Sequence, residues 1–214
     1  MGELFPASGL TLCIDFNSLT TYLALGDTRK LVDDMQVEVH FLPLVRTPGS
    51  FSIPINNDDP LAEYKARRAR ARKTFADGEL QRNCERLGIS VDQGGIAFDP
   101  THAAVGLLWL QQIQANAENY WHYTEAVFSA AFRGQKPMED VSLIRDLLAQ
   151  VHLSTTGFND FVATNNLRKI QEELLESGIF DSPAYHYEGE RFQGRQHLPL
   201  LRWLMGGRQG PPPV

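Results

Sequence analysis

The sequence predicts an α/β fold whose sheet-forming parts lie at the two ends of the chain, with an all-helical segment between them. Three observations carry this. β-rich runs occur near the beginning, "GLTLCIDF" and "VEVHFLPLV", and near the end, "SPAYHYEGERFQG". From Leu61 to about Leu175 apolar residues recur almost only at helical spacing. The stretch Arg46–Pro60, dense in Pro, Gly and Asn, divides the first part from the second.

Each element follows in order. Gly9–Phe16 is a short apolar run suited to a central strand. Asn17 or Ser18 then caps a helix, because a side-chain oxygen can accept from the free amides of a first turn. "YLALGDTRKLVDD" continues that helix. Val37–Val45 starts with alternation and reads as a second strand, parallel to the first. Helices are predicted over 60–87, 100–133, 138–151 and 158–177, with Asp99 and Pro100 starting the second. Glu188-Gly189 marks a hairpin between two short strands. "RQHLPLLRWLMGG" is a last helix, ended by Gly206 and Gly207, and "RQGPPPV" is a tail. The two ends together make β-α-β…α-β-β-α, the thioredoxin order. The predicted organisation is a discontinuous thioredoxin-like domain over 1–56 and 155–207, an inserted helical domain over 57–154, and a tail over 208–214.

Composition limits the partners. The 214 residues are 43% hydrophobic and 21% charged, as in ordinary globular domains, and the net charge of −6 argues against nucleic acid as a partner. No apolar run reaches the ~18 residues of a membrane span, and no secretory leader is recognisable, so no membrane partner and a cytoplasmic location are expected. Cys13 sits in the first strand and Cys84 in a charged helix. Two buried thiols are expected, with a disulfide as the alternative.

"DFNSLTTYLA" (Asp15–Ala24) resembles the pattern D-F-x-S-P-x-x-Y-L-A of the DsbA-like branch of the thioredoxin superfamily, which includes 2-hydroxychromene-2-carboxylate isomerases and kappa-class glutathione transferases. "ESGIFDSPAYHYEGERFQGRQHLPLL" (Glu176–Leu201) is similar to its A-x-G-V-F-G-x-P-x-F-x-x-x-G-x-x-F-x-G-x-D-R-L-x-L-L, and "DGELQRNCERLGI" (Asp77–Ile89) to a helix-and-glycine stretch. The resemblance implies a thioredoxin-like fold with an inserted all-helical domain and a cis proline at Pro183. It also implies a backbone edge at Ser182 that pairs with a peptide-like thiol, glutathione being the expected cofactor.

The resemblance further implies that Ser18, standing where dithiol enzymes carry their first cysteine, donates a hydrogen bond to the sulfur of bound glutathione. Helix N-terminal amides add positive potential there, and both effects favour the thiolate over a thiol whose pKa starts near ~8.5. The thiolate would attack an apolar or aromatic electrophile, giving a glutathione-dependent isomerase or transferase, with a homodimer suggested by the relatives. The alternative for Ser18 is a plain helix cap. The alternative for the whole chain is a redox-inactive module that binds a peptide or small ligand. No Cys-x-x-Cys exists, so dithiol exchange has no resolving partner.

Other candidates are Asn17 beside Ser18, and Asn56 in the loop after the second strand. At the start of the last helix, Gln196 stands where the family has an aspartate, and Arg195 could hold a carboxylate. Leu19 stands where the family has a proline. "KARRARARK" (Lys65–Lys73) has six basic residues in nine, spread around a helix axis without aromatic interleaving. It reads as a solvated helix or an anion-attracting wall. "WLQQIQANAENYWHY" reads as a packing face, or else as an apolar wall for a substrate. The histidines show no metal-ligand spacing.

Overall fold

The computed structural model describes residues 4–45, 61–89 and 98–213. Strand β1, Leu10–Ile14, is buried at all five positions, so it needs no alternation: both faces are covered. β2, Val39–Pro43, pairs with it in parallel, Leu10 opposite Val39 and Ile14 opposite Pro43. β3, Ala184–Tyr187, runs antiparallel to β1 with Thr11 opposite His186, and β4, Glu190–Gln193, closes a hairpin on β3. The order across the sheet is β2-β1-β3-β4. Glu188 and Gly189 both have positive φ, 49° and 80°, which matches the twist of a two-residue hairpin turn.

Helix α1, Leu19–Met35, connects β1 to β2. Helices α2 (Ala62–Leu87), α3 (Thr101–Gln112), α4 (Ala117–Phe132), α5 (Val141–Gln150), α6 (Phe158–Thr164) and α7 (Arg168–Glu176) form the helical stretch. A 3-10 turn at Arg195–His197 leads into α8, Leu198–Met205.

Two predicted helices are each divided, and asparagines take part in both breaks. The span 100–133 breaks at Ile113–Asn116. There the Asn116 side chain accepts from the Asn119 amide at 2.9 Å, and the Asn119 side chain accepts from the Asn116 amide at 3.2 Å. The span 158–177 breaks after Thr164. Asn165 donates through its side chain to the Phe161 carbonyl at 3.0 Å, and Asn166 accepts from the Arg168 amide at 3.1 Å. Apolar periodicity runs through both breaks, but a left-handed turn at Gln114, φ 53°, ends α3 before the Asn116 cap starts α4, and Asn165 and Asn166 hold the second break.

The inserted helices are packed onto α1 rather than standing apart. The Phe16 and Phe128 rings are 5.2 Å apart, and Tyr22 stacks on Phe128 at 5.3 Å and on Phe132 at 5.8 Å. The buried Phe16, Phe128 and Phe132 each contribute about 1.5–3 kcal/mol through the area they remove from water. Arg133, at the end of α4, donates to the Tyr22 hydroxyl at 2.8 Å and to the Leu87 carbonyl at the end of α2 at 3.0 Å. The aromatic-rich run is a packing face: Trp121 lies edge-on to Phe41, and Trp109 lies edge-on to Phe158 and Phe161. Gly106 lets α3 approach α4, because a methyl group there would collide with the Tyr123 hydroxyl, which donates to the Ala103 carbonyl at 2.9 Å. Cys13 and Cys84 are buried free thiols. Among the described residues no helix is long and apolar enough to cross a membrane.

Candidate active site

The site forms where the end of β1, the start of α1 and the turn before β3 meet. Ser18 is the N-cap of α1, and its Oγ accepts the Thr21 amide at 3.3 Å. The cap is therefore Ser18 rather than Asn17. Asn17 is half-buried and turns its amide to the Asp15 carboxylate at 2.9 Å. Leu19 is 6% exposed and belongs to the main core, so the residue standing in the family's proline position is held by packing. No acid lies in the first turn of α1 to offset its positive end, and Asp15 is the carboxylate just ahead of it.

Ser182 precedes Pro183 through a cis peptide bond. Its side chain is fully engaged. Ser182 Oγ donates to the Cys13 carbonyl at 3.0 Å and accepts from the Asp15 amide at 3.0 Å. With its one proton given to Cys13, it must also accept from the Thr21 hydroxyl, 2.6 Å away. The Ser182 backbone is engaged as well. Its amide donates to its neighbour's Asp181 carboxylate at 2.8 Å. Its carbonyl accepts from Ser18 Oγ at 3.2 Å and Thr20 Oγ1 at 3.1 Å, and those two oxygens are themselves 2.8 Å apart. Two hydroxyl protons thus serve three close contacts.

An open cleft of about 390 Å³ lies over this arrangement. Thr20 and Leu23 of α1 line one side, Leu80 and Asn83 of α2 another, Phe180–Pro183 the floor, and Gln193–Gln196 the far wall. The cleft brings together four of the residues singled out from sequence: Ser182, Pro183, Arg195 and Gln196. Ser18, 3% exposed, lies behind Thr20 and does not line it. Gln196 folds back so that its Nε2 donates to the Gln193 carbonyl at 2.8 Å, with its oxygen against Gly194. Asn17 is not part of the lining. Asn56, proposed from the loop after β2, lies outside the described residues.

Sequence reasoning missed Thr20, Leu80 and Asn83. No local signal marks them: Thr20 and Leu23 share a face of α1, and Leu80 and Asn83 share a face of α2, but which faces meet is set by packing. Burial pushes the Cys13 thiol up to about 12, and burial with Glu85 nearby raises Cys84, so both are inert near neutrality. Among the described residues no group of three or more His, Cys, Asp or Glu could hold a metal ion.

No family model matches the chain, and no curated protein sequence matches it. Solved structures do. A 2-hydroxychromene-2-carboxylate isomerase aligns over 93% of this chain and 95% of its own, at 20% identity and a TM-score of 0.65. A protein assigned as a disulfide isomerase from Nitrosomonas europaea aligns over 96% and 100%, at 13% identity and a TM-score of 0.63. A DsbA-type oxidoreductase from Streptomyces coelicolor aligns over 96% and 92%, at 13% identity and a TM-score of 0.59. The fold is therefore α/β, thioredoxin-like with inserted helices, as in DsbA-like proteins.

Proposed function

We propose that the chain binds a thiol such as glutathione in the cleft, holds it as a thiolate at the start of α1, and directs it at an apolar or aromatic electrophile. The single observation that supports this reading is the pair Ser18–Thr20. Two hydroxyls sit at a helix N-terminus beneath an open cleft, Ser18 standing where a dithiol enzyme would carry its first sulfur and Thr20 lining the cleft beside it.

Thr20 is the exposed member of the pair, and the one that reaches the sulfur. A ligand amide pairing with the Ser182 carbonyl replaces the Thr20 hydroxyl there. Thr20 then turns its proton to the sulfur, while Ser18 keeps its own bond to Ser182. Donation from the hydroxyl and the positive helix end both favour S⁻ over S–H. The sulfur lone pair forms a C–S bond as the substrate's π pair moves onto its acceptor group. Reversing the addition after bond rotation gives an isomer, and keeping the C–S bond while the new anion takes a proton from solvent in the open cleft gives a transferase product. Leu23, Leu80 and Phe180 supply the apolar wall for such a substrate.

Calorimetry with reduced glutathione, together with ultraviolet thiolate absorbance against pH, tests this on the wild type, Thr20→Val and Ser18→Ala. The expected result is a bound thiol pKa below ~8.5, restored toward that value by Thr20→Val. Because burial raises the Cys13 thiol to about 12 and, with Glu85, raises Cys84 as well, thiolate absorbance that appears below ~8.5 reports the ligand. No thiol binding by the wild type sinks the reading. Binding with an unshifted pKa identifies a ligand-capture module instead.

A further inference from the structure

A second groove continues from the cleft. Its lining includes Asp27, Lys30, Arg86, Arg195 and Arg202, and its volume is about 640 Å³. Asn83, Arg195 and Gln196 line both, so the two form one trough. The same helix faces run its whole length: Thr20, Leu23, Asp27 and Lys30 along α1, and Leu80, Asn83 and Arg86 along α2.

The trough changes character along its length. At the cleft end it is hydroxyl and apolar. At the far end it has four cations, Lys30, Arg86, Arg195 and Arg202, and one lining acid, Asp27, in a chain of net charge −6. Asp27 lies 3.4 Å from Arg86, and Asp34 lies 2.7 Å from Arg202. Those exposed pairs hold the guanidinium groups in place at little energetic gain, and the cations that line this end outnumber its lining acid.

Length decides what could use both ends. Ten residues separate Thr20 from Lys30, which at 1.5 Å of rise is about 15 Å. A tripeptide spans at most ~10 Å fully extended, and glutathione carries its sulfur on the middle residue. With its sulfur at Thr20, glutathione ends about 5 Å short of the Lys30 backbone, a gap the Lys30 side chain would have to reach back across.

We infer that the groove is an anion subsite, and that the thiol used by this protein is a long-armed one ending in a phosphate or carboxylate. The inference rests on the thiol reading for what occupies the cleft, but not for the anion subsite. The test compares coenzyme A with pantetheine, the same thiol arm without its phosphates and adenosine, by calorimetry on the full chain. A Lys30→Glu/Arg86→Gln variant serves as the control. Coenzyme A should bind the wild type about tenfold tighter, equivalent to about 1.4 kcal/mol. In the variant the two affinities should converge, with pantetheine unchanged. Equal affinities in the wild type, or equal weakening of both in the variant, overturn the inference.

Pyrophosphate and succinate, each added alone, separate the two anion chemistries. Whichever displaces coenzyme A without displacing pantetheine names the preferred end group, and displacement by neither overturns the subsite. If no thiol binds but pyrophosphate binds the wild type and not the variant, the thiol reading fails and the anion subsite stands.

Discussion

The two sides of the α1 N-terminus use the same residue types to opposite ends. On the buried side, the hydroxyls of Thr21 and Ser182 are fully matched: each proton has an acceptor, and the Asp15 amide and Cys13 carbonyl are satisfied by the same oxygen. On the cleft side, the hydroxyls of Ser18 and Thr20 crowd one carbonyl, with three contacts for two protons. A matched network has one arrangement and fixes the fold. A crowded one can rearrange when a ligand arrives. Thr20 makes the difference: it alone of the four is exposed, while Ser18, Thr21 and Ser182 are all buried.

The largest effect should come from breaking the matched side. Ser182→Ala leaves the Asp15 amide, the Cys13 carbonyl and the Thr21 hydroxyl without their shared partner. Unfolding in urea should show a loss of about 2–4 kcal/mol. Thr21→Val keeps the side-chain shape and removes one donor, so the same measurement should show a loss of about 1–2 kcal/mol. If Ser182→Ala costs no more than Thr21→Val, the two-sided picture is wrong.

On the cleft side, Ser18→Ala should cost about 1 kcal/mol, the ordinary value of a lost cap. Thr20→Val should change stability by less than about 0.5 kcal/mol, while removing the depression of the bound thiol's pKa. A Thr20 variant that destabilises as much as a Thr21 variant would make both hydroxyls structural.

The smallest effect is a pH dependence that neither side generates, since none of the four hydroxyl residues titrates. His186, on β3, stacks under Phe5 with rings 4.2 Å apart, and partial burial and Arg191 lower its pKa from 6.5. The unfolded chain therefore takes up a proton first as pH falls. Stability is complete above pH 6.5 and declines as pH drops through the folded value. His186→Gln should flatten that acid limb in thermal melts, leaving the Thr21 and Ser182 effects unchanged from neutral pH to pH 5.

Much of the fold was legible because each element carries a local signal. β1 is a run of apolar residues, Glu188-Gly189 is a turn, and Ser18 follows a strand directly. The two helix breaks were less legible because a hydrophobic stripe persists through Gln112–Ala117 and Thr164–Arg168 while the left-handed turn at Gln114 and asparagine side chains decide the outcome. At the candidate site, Ser182, Pro183, Arg195 and Gln196 could be picked out from one contiguous motif. Thr20 could not, because a row of hydroxyl residues does not say which one faces solvent. That depends on the turn at Ser182, distant in sequence. Asn83 and Arg86 come from α2, whose relation to α1 no local pattern encodes.

Arg133 has a mechanical consequence. By holding the Tyr22 hydroxyl on α1 and the Leu87 carbonyl at the end of α2, it ties together the two helices that form the walls of the trough. The gap is thus gauged at a point where no ligand sits. A longer or shorter tie there would widen or narrow the opening for every ligand alike, and so would tune which shapes are admitted without touching the atoms that hold the sulfur.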